Sequence, residues 1–408
     1  MDILIEEMEG SLWAAALDQG RLSALEVDPP YEEVRWGSLY WAKVKTIDKA
    51  QDAVFLDLDG ENTGILYNGD TRSRDKSGKI VKGGAQSIAK SFKPGDFVAV
   101  QAKTAYLPRS DEEYTGSENK IPQMSMDITI PGRYLIYCAH MDCNRISQRI
   151  RDKTTRKNMR AMLDALQGLE GFILRNAAAN TQTDMLIREA KILKEMWDQV
   201  QDYFTGEEAG LIMLGPDAVQ RLLSDQADKT VDSIEVVTMD HYTHAEEWCD
   251  LFAPDLVTKI EPVELEDADQ DLALFHYRDI IGQIEDLFQS YALLSGGGNV
   301  IIQQTAALTA IDVNKGGDKK GHLNTNLEAA AEIARQLRLR NAGGIVMIDF
   351  LPFKTKTEEG KVIAALEDAF AEDPCTVQIH GPTSLGLVEI TRKRRTPPLE
   401  DRLEGFLE

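Results

Sequence analysis

An apolar run that ends in an aspartate occurs twice in this chain, and the pair limits the possible fold more than any other feature. The first run covers residues 309–314 and the second covers residues 344–350. Both are bounded by turn residues and therefore predict buried strands. The segment between them predicts a helix that begins at about Leu327, with Asn326 as its N-cap and Gly343–Gly344 as its stop.

A strand, a helix and a second strand in this order predict a right-handed parallel crossover. Asp312 and Asp349 then lie at the same end of neighbouring strands, where open α/β sheets bind their ligands. Two adjacent carboxylates repel each other, and a divalent cation such as Mg²⁺ relieves that repulsion. A single aspartate at a strand end is more often a turn former, but two on adjacent strands favour a metal site.

Length and charge restrict the class of protein. With 408 residues, the chain is long enough for two to four domains. Its formal net charge of −23 argues against a protein that coats nucleic acid unselectively. Basic residues nevertheless cluster at 145–160 and at 392–395, which indicates either local phosphate contacts or solvated faces. The acidic loop at 261–271 has no role that the sequence assigns.

The cellular location of the protein and the redox state of its cysteines are predicted from features that the sequence does not contain. It contains no apolar run of about 18 residues, so no membrane-spanning helix is expected. The first residues do not resemble a signal peptide. The four cysteines are scattered and form no C-x-x-C pair, which favours free thiols in the cytoplasm.

The pattern changes several times along the chain. Residues 1–35 are β-rich, and the short strands from 36 to about 105 predict a small barrel of the OB kind, which often binds single-stranded nucleic acid. A barrel used only for packing is the alternative. Long helices are predicted at 151–166 and 184–203. The segment His241–His244, with acidic neighbours, indicates either a transition-metal site or a polar surface.

The ordered string of residues at 307–350 resembles the catalytic core of the bacterial ribonuclease E/G family, and weaker similarity covers nearly the whole chain. The resemblance implies a multidomain fold of the α+β and α/β classes. Its expected parts are a split ribonuclease-H-like subdomain (1–35 and 216–287), an OB-fold RNA-binding barrel (36–115), a sensor region for the RNA 5′ end (116–215) and a deoxyribonuclease-I-like catalytic subdomain (288–408).

The same resemblance implies a Mg²⁺-dependent endoribonuclease that hydrolyses single-stranded RNA in RNA processing or decay and leaves 5′-phosphate and 3′-hydroxyl ends. Its metal ligands would be Asp312 and Asp349. The further residues implied are Asn314 and Lys120 at the catalytic site, Phe55, Ile65, Lys120, Arg392 and Arg394 for RNA binding, and Gly132, Ile136, Arg175 and Asn176 for the 5′-phosphate.

The chain also departs from the family pattern. Ile65 replaces a stacking aromatic, Asn176 replaces a threonine, and Ser384 stands where an arginine is common. No cysteine follows Cys375, so a zinc-linked tetramer is not expected, whereas a homodimer and a monomer both stay open. Two other functions also stay open: an RNA-binding protein of this fold with weak or lost catalysis, and a phosphodiesterase acting on another substrate.

Overall fold

The computed structural model describes residues 1–75, 78–105, 121–150, 152–266, 270–305, 307–371 and 373–403. This part of the chain is a mixed α/β protein with two compact units. One unit contains residues 30–105 and 121–263, and the other contains residues 2–29 and 264–403. Among these residues, no helix combines the length and apolar character needed to cross a bilayer. The four subdomain boundaries implied by the resemblance stay a prediction.

A closed five-stranded barrel forms the first part of one unit, as the short apolar runs predict. Its strands pair in the order β4-β5-β6-β10-β9, and β9 pairs back onto β4. Alternate residues such as Val44, Leu56 and Val98 fill its interior, and this OB-like closure leaves the intervening residues on the outer face. The strands are β4 (Leu39–Asp48), β5 (Ala53–Asp57), β6 (Thr63–Tyr67), β9 (Phe97–Ala102) and β10 (Gln123–Ser125).

The rest of this unit contains a second, smaller sheet with the order β11-β12-β14-β13, flanked by two helices. The remaining elements of the unit are β7 (Arg72–Arg74), β8 (Ile80–Lys82), β11 (Thr129–Pro131), β12 (Leu135–Cys138), β13 (Arg145–Ile146), α1 (Lys153–Ala165), β14 (Phe172–Leu174), α2 (Thr183–Gln201), β15 (Gly210–Met213), α3 (Ala218–Asp225), β16 (Ser233–Val236), α4 (Met239–Phe252) and β17 (Ile260–Pro262). Helices α1 and α2 lie within one or two residues of the predicted ranges.

The other unit joins the start of the described chain to its C-terminal part. Three antiparallel strands, β1 (Asp2–Met8), β2 (Ser11–Asp18) and β3 (Arg21–Asp28), form a meander. The buried Glu6 carboxylate of β1 accepts hydrogen bonds from the backbone N–H groups of Leu274 and Phe275, at 3.1 and 3.3 Å. Sequence-distant segments are thereby fixed to each other within this unit.

A six-stranded mixed sheet is the centre of this unit, and its order is β18-β19-β20-β21-β23-β22. Helices α7 and α8 cover one face, where residues such as Ile311, Ile333 and Leu366 form the core. The elements are α5 (Ala273–Tyr277), α6 (Ile281–Glu285), β18 (Tyr291–Leu293), β19 (Asn299–Gln304), β20 (Leu308–Asn314), α7 (His322–Leu339), β21 (Gly344–Asp349), α8 (Lys356–Ala369), β22 (Val377–Pro382), β23 (Val388–Arg392) and α9 (Leu399–Arg402).

The predicted crossover is present, because β20 and β21 pair in parallel and α7 connects them. The predicted start of the helix is wrong: α7 begins at His322, and Asn326 lies inside it. The Asn326 side chain instead bonds both backbone groups of Leu351, donating to the carbonyl at 2.8 Å and accepting from the N–H at 3.1 Å. At the other end, Asn341 takes the left-handed conformation just after the helix, two residues before the predicted glycine stop.

A buried ion pair lies at the end of β23, the strand between β21 and the edge strand β22. Arg392, at the end of β23, is 2% exposed, and its guanidinium donates to both carboxylate oxygens of Asp373 at 2.8 and 3.1 Å. A third donor of Arg392 bonds the side-chain oxygen of Asn341 at 3.1 Å. Since each charge is paired and hydrogen-bonded, the cost of removing water from the two groups is offset.

Replacing Asp373 with alanine is therefore expected to lower the free energy of unfolding by about 3–5 kcal/mol, because Arg392 is left charged and unpaired in the interior. Urea denaturation followed by circular dichroism measures the loss. Asp368→Ala, on the exposed surface of α8, is the matched control and should change stability by less than about 0.5 kcal/mol. Equal effects from the two substitutions would contradict this role for the ion pair.

Candidate functional site

Two carboxylates lie side by side on the uncovered face of the six-stranded sheet. Asp312 of β20 is directly opposite Asp349 of β21 in the parallel pairing. Neighbouring strands are about 4.8 Å apart, so the two side chains leave the sheet next to each other. Both aspartates are exposed, whereas the adjacent Ile311 and Ile348 are buried against the helices. The alternation of the strands thus puts both acids on one face.

Asn314 completes a polar group on this face. It lies two residues after Asp312 on the same strand, and its amide nitrogen donates to an Asp312 carboxylate oxygen at 2.8 Å. This bond restricts the Asp312 side chain and leaves a second amide N–H of Asn314 able to donate. The structure therefore brings together three of the four residues predicted for catalysis. The fourth, Lys120, lies outside the described residues.

Glu389 is a further acidic residue near the pair, and the sequence analysis assigned no role to it. It is opposite Met347 on β21, which makes it a diagonal neighbour of Asp349. The signal that could have found it is the alternation in β23, where Val388 and Ile390 are fully buried. Alternation places Glu389 on the opposite face, where the two aspartates also lie.

The donor set suits a hard divalent cation. Mg²⁺ prefers oxygen ligands and is usually bound through one or two carboxylates while it keeps several waters. Asp312 and Asp349 provide two exposed carboxylates on paired positions of neighbouring strands. In the described part of the chain, no cluster of three or more His, Cys, Asp or Glu side chains has the arrangement of a metal site.

The alternative metal site at His241–His244 has no such cluster either. These residues lie in the first turns of α4, where the Thr238 side chain accepts a hydrogen bond from the His241 N–H. His244 pairs with Asp217 at 2.9 Å. Asp217 also caps α3 through the Gln220 N–H. The His244–Asp217 pair thus connects two helices, which is a structural role.

The residues predicted to bind RNA differ in their accessibility. Phe55 is half-buried on the barrel and lies directly opposite Ile65, which is only 6% exposed. Arg394 is exposed. Arg392, by contrast, is buried in its pair with Asp373, so the structure does not support the predicted RNA contact for it. Lys120 again lies outside the described residues.

The residues predicted to sense the RNA 5′ end lie around the β11–β12 hairpin. Arg175 donates to the carbonyl of Gly132 at 2.7 Å and is 3.5 Å from the Asp225 carboxylate. Asn176 donates to the Asp228 carboxylate at 2.7 Å. Ile136 is a half-buried residue of β12. Gly132 and Arg175 therefore meet, but the donors of Arg175 and Asn176 face acidic side chains.

A buried carboxyl group of α2 binds the backbone of the β11–β12 hairpin. Glu189 of α2 is 2% exposed, and one of its oxygens accepts the N–H groups of Tyr134 and Leu135, both at 2.8 Å. Burial raises the pKa of Glu189 to about 7. The sequence analysis assigned no role to Glu189. Its burial could have been predicted from its position between Leu186 and Leu193 on the apolar stripe of the helix, where an acidic residue is unusual.

Similarity to known proteins agrees with this geometry. The profile of the Ribonuclease E/G family matches residues 129–395, well over half of the chain. The chain belongs to the ribonuclease E/G family. Ribonuclease G of Salmonella typhimurium (strain SL1344) and ribonuclease G of Escherichia coli (strain K12) are each 28% identical to it over 98% of this chain and 81% of their own length.

Ribonuclease E of Haemophilus influenzae is 30% identical to this chain. The matched region covers 95% of this chain and 41% of the length of that ribonuclease E. The similarity in each case extends over nearly all of the chain, so it includes the barrel, the hairpin region and the sheet that carries the two aspartates.

Glu189 should make the stability of this family member depend on pH. A carboxyl whose pKa is higher in the folded state than its ordinary value of 4.5 binds more protons when folded. Its contribution to stability is therefore present at low pH and is lost as the pH rises to about 7. Glu189→Gln removes this dependence, so the variant should gain stability relative to the unsubstituted chain between pH 5 and 8, by about 3 kcal/mol at most.

Urea denaturation at pH 5, 6, 7 and 8 measures the difference between the two proteins. Glu195→Gln, an exposed position on the same helix, provides the control and should leave the pH profile unchanged. A constant difference between Glu189→Gln and the unsubstituted chain across this range would show that Glu189 does not titrate in this window.

Proposed function

We propose that this protein is an endoribonuclease that hydrolyses single-stranded RNA in RNA processing or decay. The observation that carries the proposal is the direct pairing of Asp312 with Asp349 on an exposed sheet face. Membership of the ribonuclease E/G family supports the choice of RNA as the substrate. The relatives with similarity over nearly the whole chain are named ribonuclease G and ribonuclease E.

The proposed cofactor is Mg²⁺, with Asp312 and Asp349 as its protein ligands. When bound, such an ion acts as a Lewis acid towards the phosphate and lowers the pKa of a coordinated water. The chain contributes the two negative charges, and their fixed spacing comes from the strand register. Asn314 restrains Asp312 through its hydrogen bond and has a second N–H that can donate to a phosphate oxygen.

The proposed reaction fixes the chemistry of the products. A water oxygen forms a new bond to phosphorus, and the bond from phosphorus to the 3′ oxygen breaks. One proton of the water is released, and the leaving 3′ oxygen takes up a proton. The products are therefore one RNA with a 3′-hydroxyl end and one with a 5′-phosphate end.

Other parts of the proposal concern how RNA is held. Phe55 on the OB-like barrel offers an aromatic ring for base stacking, and the exposed Arg394 offers a phosphate contact. A 5′-monophosphate held by Gly132, Ile136, Arg175 and Asn176 would have to replace Asp228 as the acceptor for Asn176. A cytoplasmic location and a homodimer are predictions that come from the sequence and the resemblance.

Replacing Asp349 with asparagine is expected to reduce cleavage of single-stranded RNA by more than about 100-fold, because substitutions outside the metal's own ligands already cost about 10–100-fold. The exposed position implies that the fold and RNA binding are retained. A fluorescent single-stranded RNA incubated with Mg²⁺ or with EDTA, followed by gel electrophoresis, measures the rate. Asp368→Asn is the matched control on the exposed surface of α8.

The same assay separates the alternatives. Near-normal cutting by Asp349→Asn in the presence of Mg²⁺ would overturn the site assignment. Binding of RNA by the unsubstituted chain without any cutting would instead indicate an RNA-binding protein of this fold. Activity on small phosphodiesters without activity on RNA would indicate a phosphodiesterase of different specificity.

A further inference from the structure

The outer face of the OB-like barrel carries a second aromatic group, separate from Phe55. Trp41 of β4 and Phe97 of β9 stack with their ring centroids 5.6 Å apart and an angle of 21° between their planes. Both side chains are half-buried. They lie outside the barrel because the alternate residues Tyr40, Ala42 and Val98 point into its core.

Two contacts fix the position of the Trp41 side chain. Its indole N–H donates to the carbonyl of Gly206 at 3.2 Å, and the ring of Phe204 packs against it with a centroid separation of 6.1 Å. Trp41 therefore has a structural role, in which it attaches the segment after α2 to the barrel. Phe97 lies at the end of this row of rings, and in the described part of the chain Trp41 is its only aromatic contact.

The ammonium group of Lys43 lies over the ring of Phe97. The Lys43 ammonium is 5.5 Å from the centroid of the Phe97 ring, and Lys43 is directly opposite Phe97 in the pairing of β4 with β9. Lys43 is exposed and forms no ion pair with any residue that the structure describes. Lys45, two residues further along β4, is 3.7 Å from Asp57, so Lys43 is the freer of the two cations.

An aromatic ring with a nearby cation is the combination that recognises a nucleotide, because the ring stacks on the base and the cation meets the phosphate. A base on this face of Phe97 would take the place of the Lys43 ammonium, which is carried by a long side chain and can move to the phosphate. We propose that Phe97, supported by Trp41 and flanked by Lys43, is a stacking site for one base of single-stranded RNA on the outer face of the barrel. This inference rests on the proposed function, since it assumes that RNA is the ligand.

The site would supply a second aromatic ring for base stacking on a barrel where Phe55 has no aromatic residue opposite it. Phe55 is opposite Ile65, which is apolar but has no aromatic face for a base. Phe97 and Phe55 are on strands that flank β4 on its two sides, opposite Lys43 and Thr46 respectively. Two strand spacings and about three residues along β4 separate them, which is roughly 14 Å. The lysines of β4 lie between them, so one strand of RNA can contact both rings while its backbone passes the cations.

Binding of RNA under conditions that prevent cutting tests the proposal. A fluorescein-labelled uridine-rich RNA of about 12 nucleotides is titrated with the full chain in EDTA, and fluorescence anisotropy gives Kd. Phe97→Leu keeps the apolar volume but removes the ring, so Kd should rise by roughly 5- to 100-fold, which corresponds to one lost base stack. Phe97→Trp should restore binding because it restores the aromatic face.

Phe92→Leu is the matched control, because Phe92 packs against the core of the same barrel instead of its outer face. It should leave Kd within about twofold of the unsubstituted value. Lys43→Gln should weaken binding and should reduce the dependence of Kd on salt. If Phe97→Leu binds RNA as tightly as the unsubstituted chain, the stacking site is wrong.

A second measurement needs no substitution and therefore does not depend on folding of a variant. RNA that contains 4-thiouridine is irradiated in complex with the unsubstituted chain, and the crosslinked peptides are identified by mass spectrometry. Crosslinks to Phe97 or Trp41 support the site, and crosslinks confined to other surfaces overturn it. If the unsubstituted chain binds no RNA at all, the proposed function fails, which is distinct from failure of this site alone.

Discussion

The register between β20 and β21 is the constraint on which the candidate site depends. Parallel pairing aligns Asp312 with Asp349, and side chains alternate along each strand. A slip of one residue in either strand would turn one carboxylate towards the helices and bring an isoleucine to the surface. The register is set by the apolar residues of the opposite face, chiefly Ile311 and Ile348, which have to pack on α7 and α8. Hydrophobic burial on one face thus fixes the position of charge on the other.

The same sheet shows why basic residues near the site have different roles. Arg392 and Arg394 are separated by one residue, yet the first is enclosed with Asp373 and Asn341 while the second is exposed. Within the sheet, Arg392 stabilises the end of β23, the strand that pairs with β21. The uncovered face then presents carboxylates and the Asn314 amide. These negative charges repel an anionic substrate, and the proposed Mg²⁺ would relieve that repulsion.

Much of the architecture follows from local patterns in the sequence. The apolar runs at 309–314 and 344–350 predicted the parallel strands, and the short runs after residue 36 predicted the barrel, since strand alternation is a local signal. The predicted start of α7 was wrong because Asn326 was interpreted as a helix cap. Its amide instead donates to the backbone carbonyl of Leu351, a residue that comes near only in the folded protein. The burial of Arg392 and of Glu189 likewise depends on partners distant in the chain. The residue roles at the site came from the family resemblance, which periodicity could not supply.

The contact of Glu6 with the start of α5 has a consequence for synthesis of the protein. Residues 6 and 274 are 268 positions apart in the sequence, and ribosomes add about 5–20 residues per second. The meander formed by β1, β2 and β3 must therefore wait on the order of 10–50 s for the segment that satisfies Glu6 and covers its apolar face. During translation this unit is completed late although its first strand emerges first, so the nascent meander exposes apolar surface and unpaired strand edges for that time, which favours aggregation.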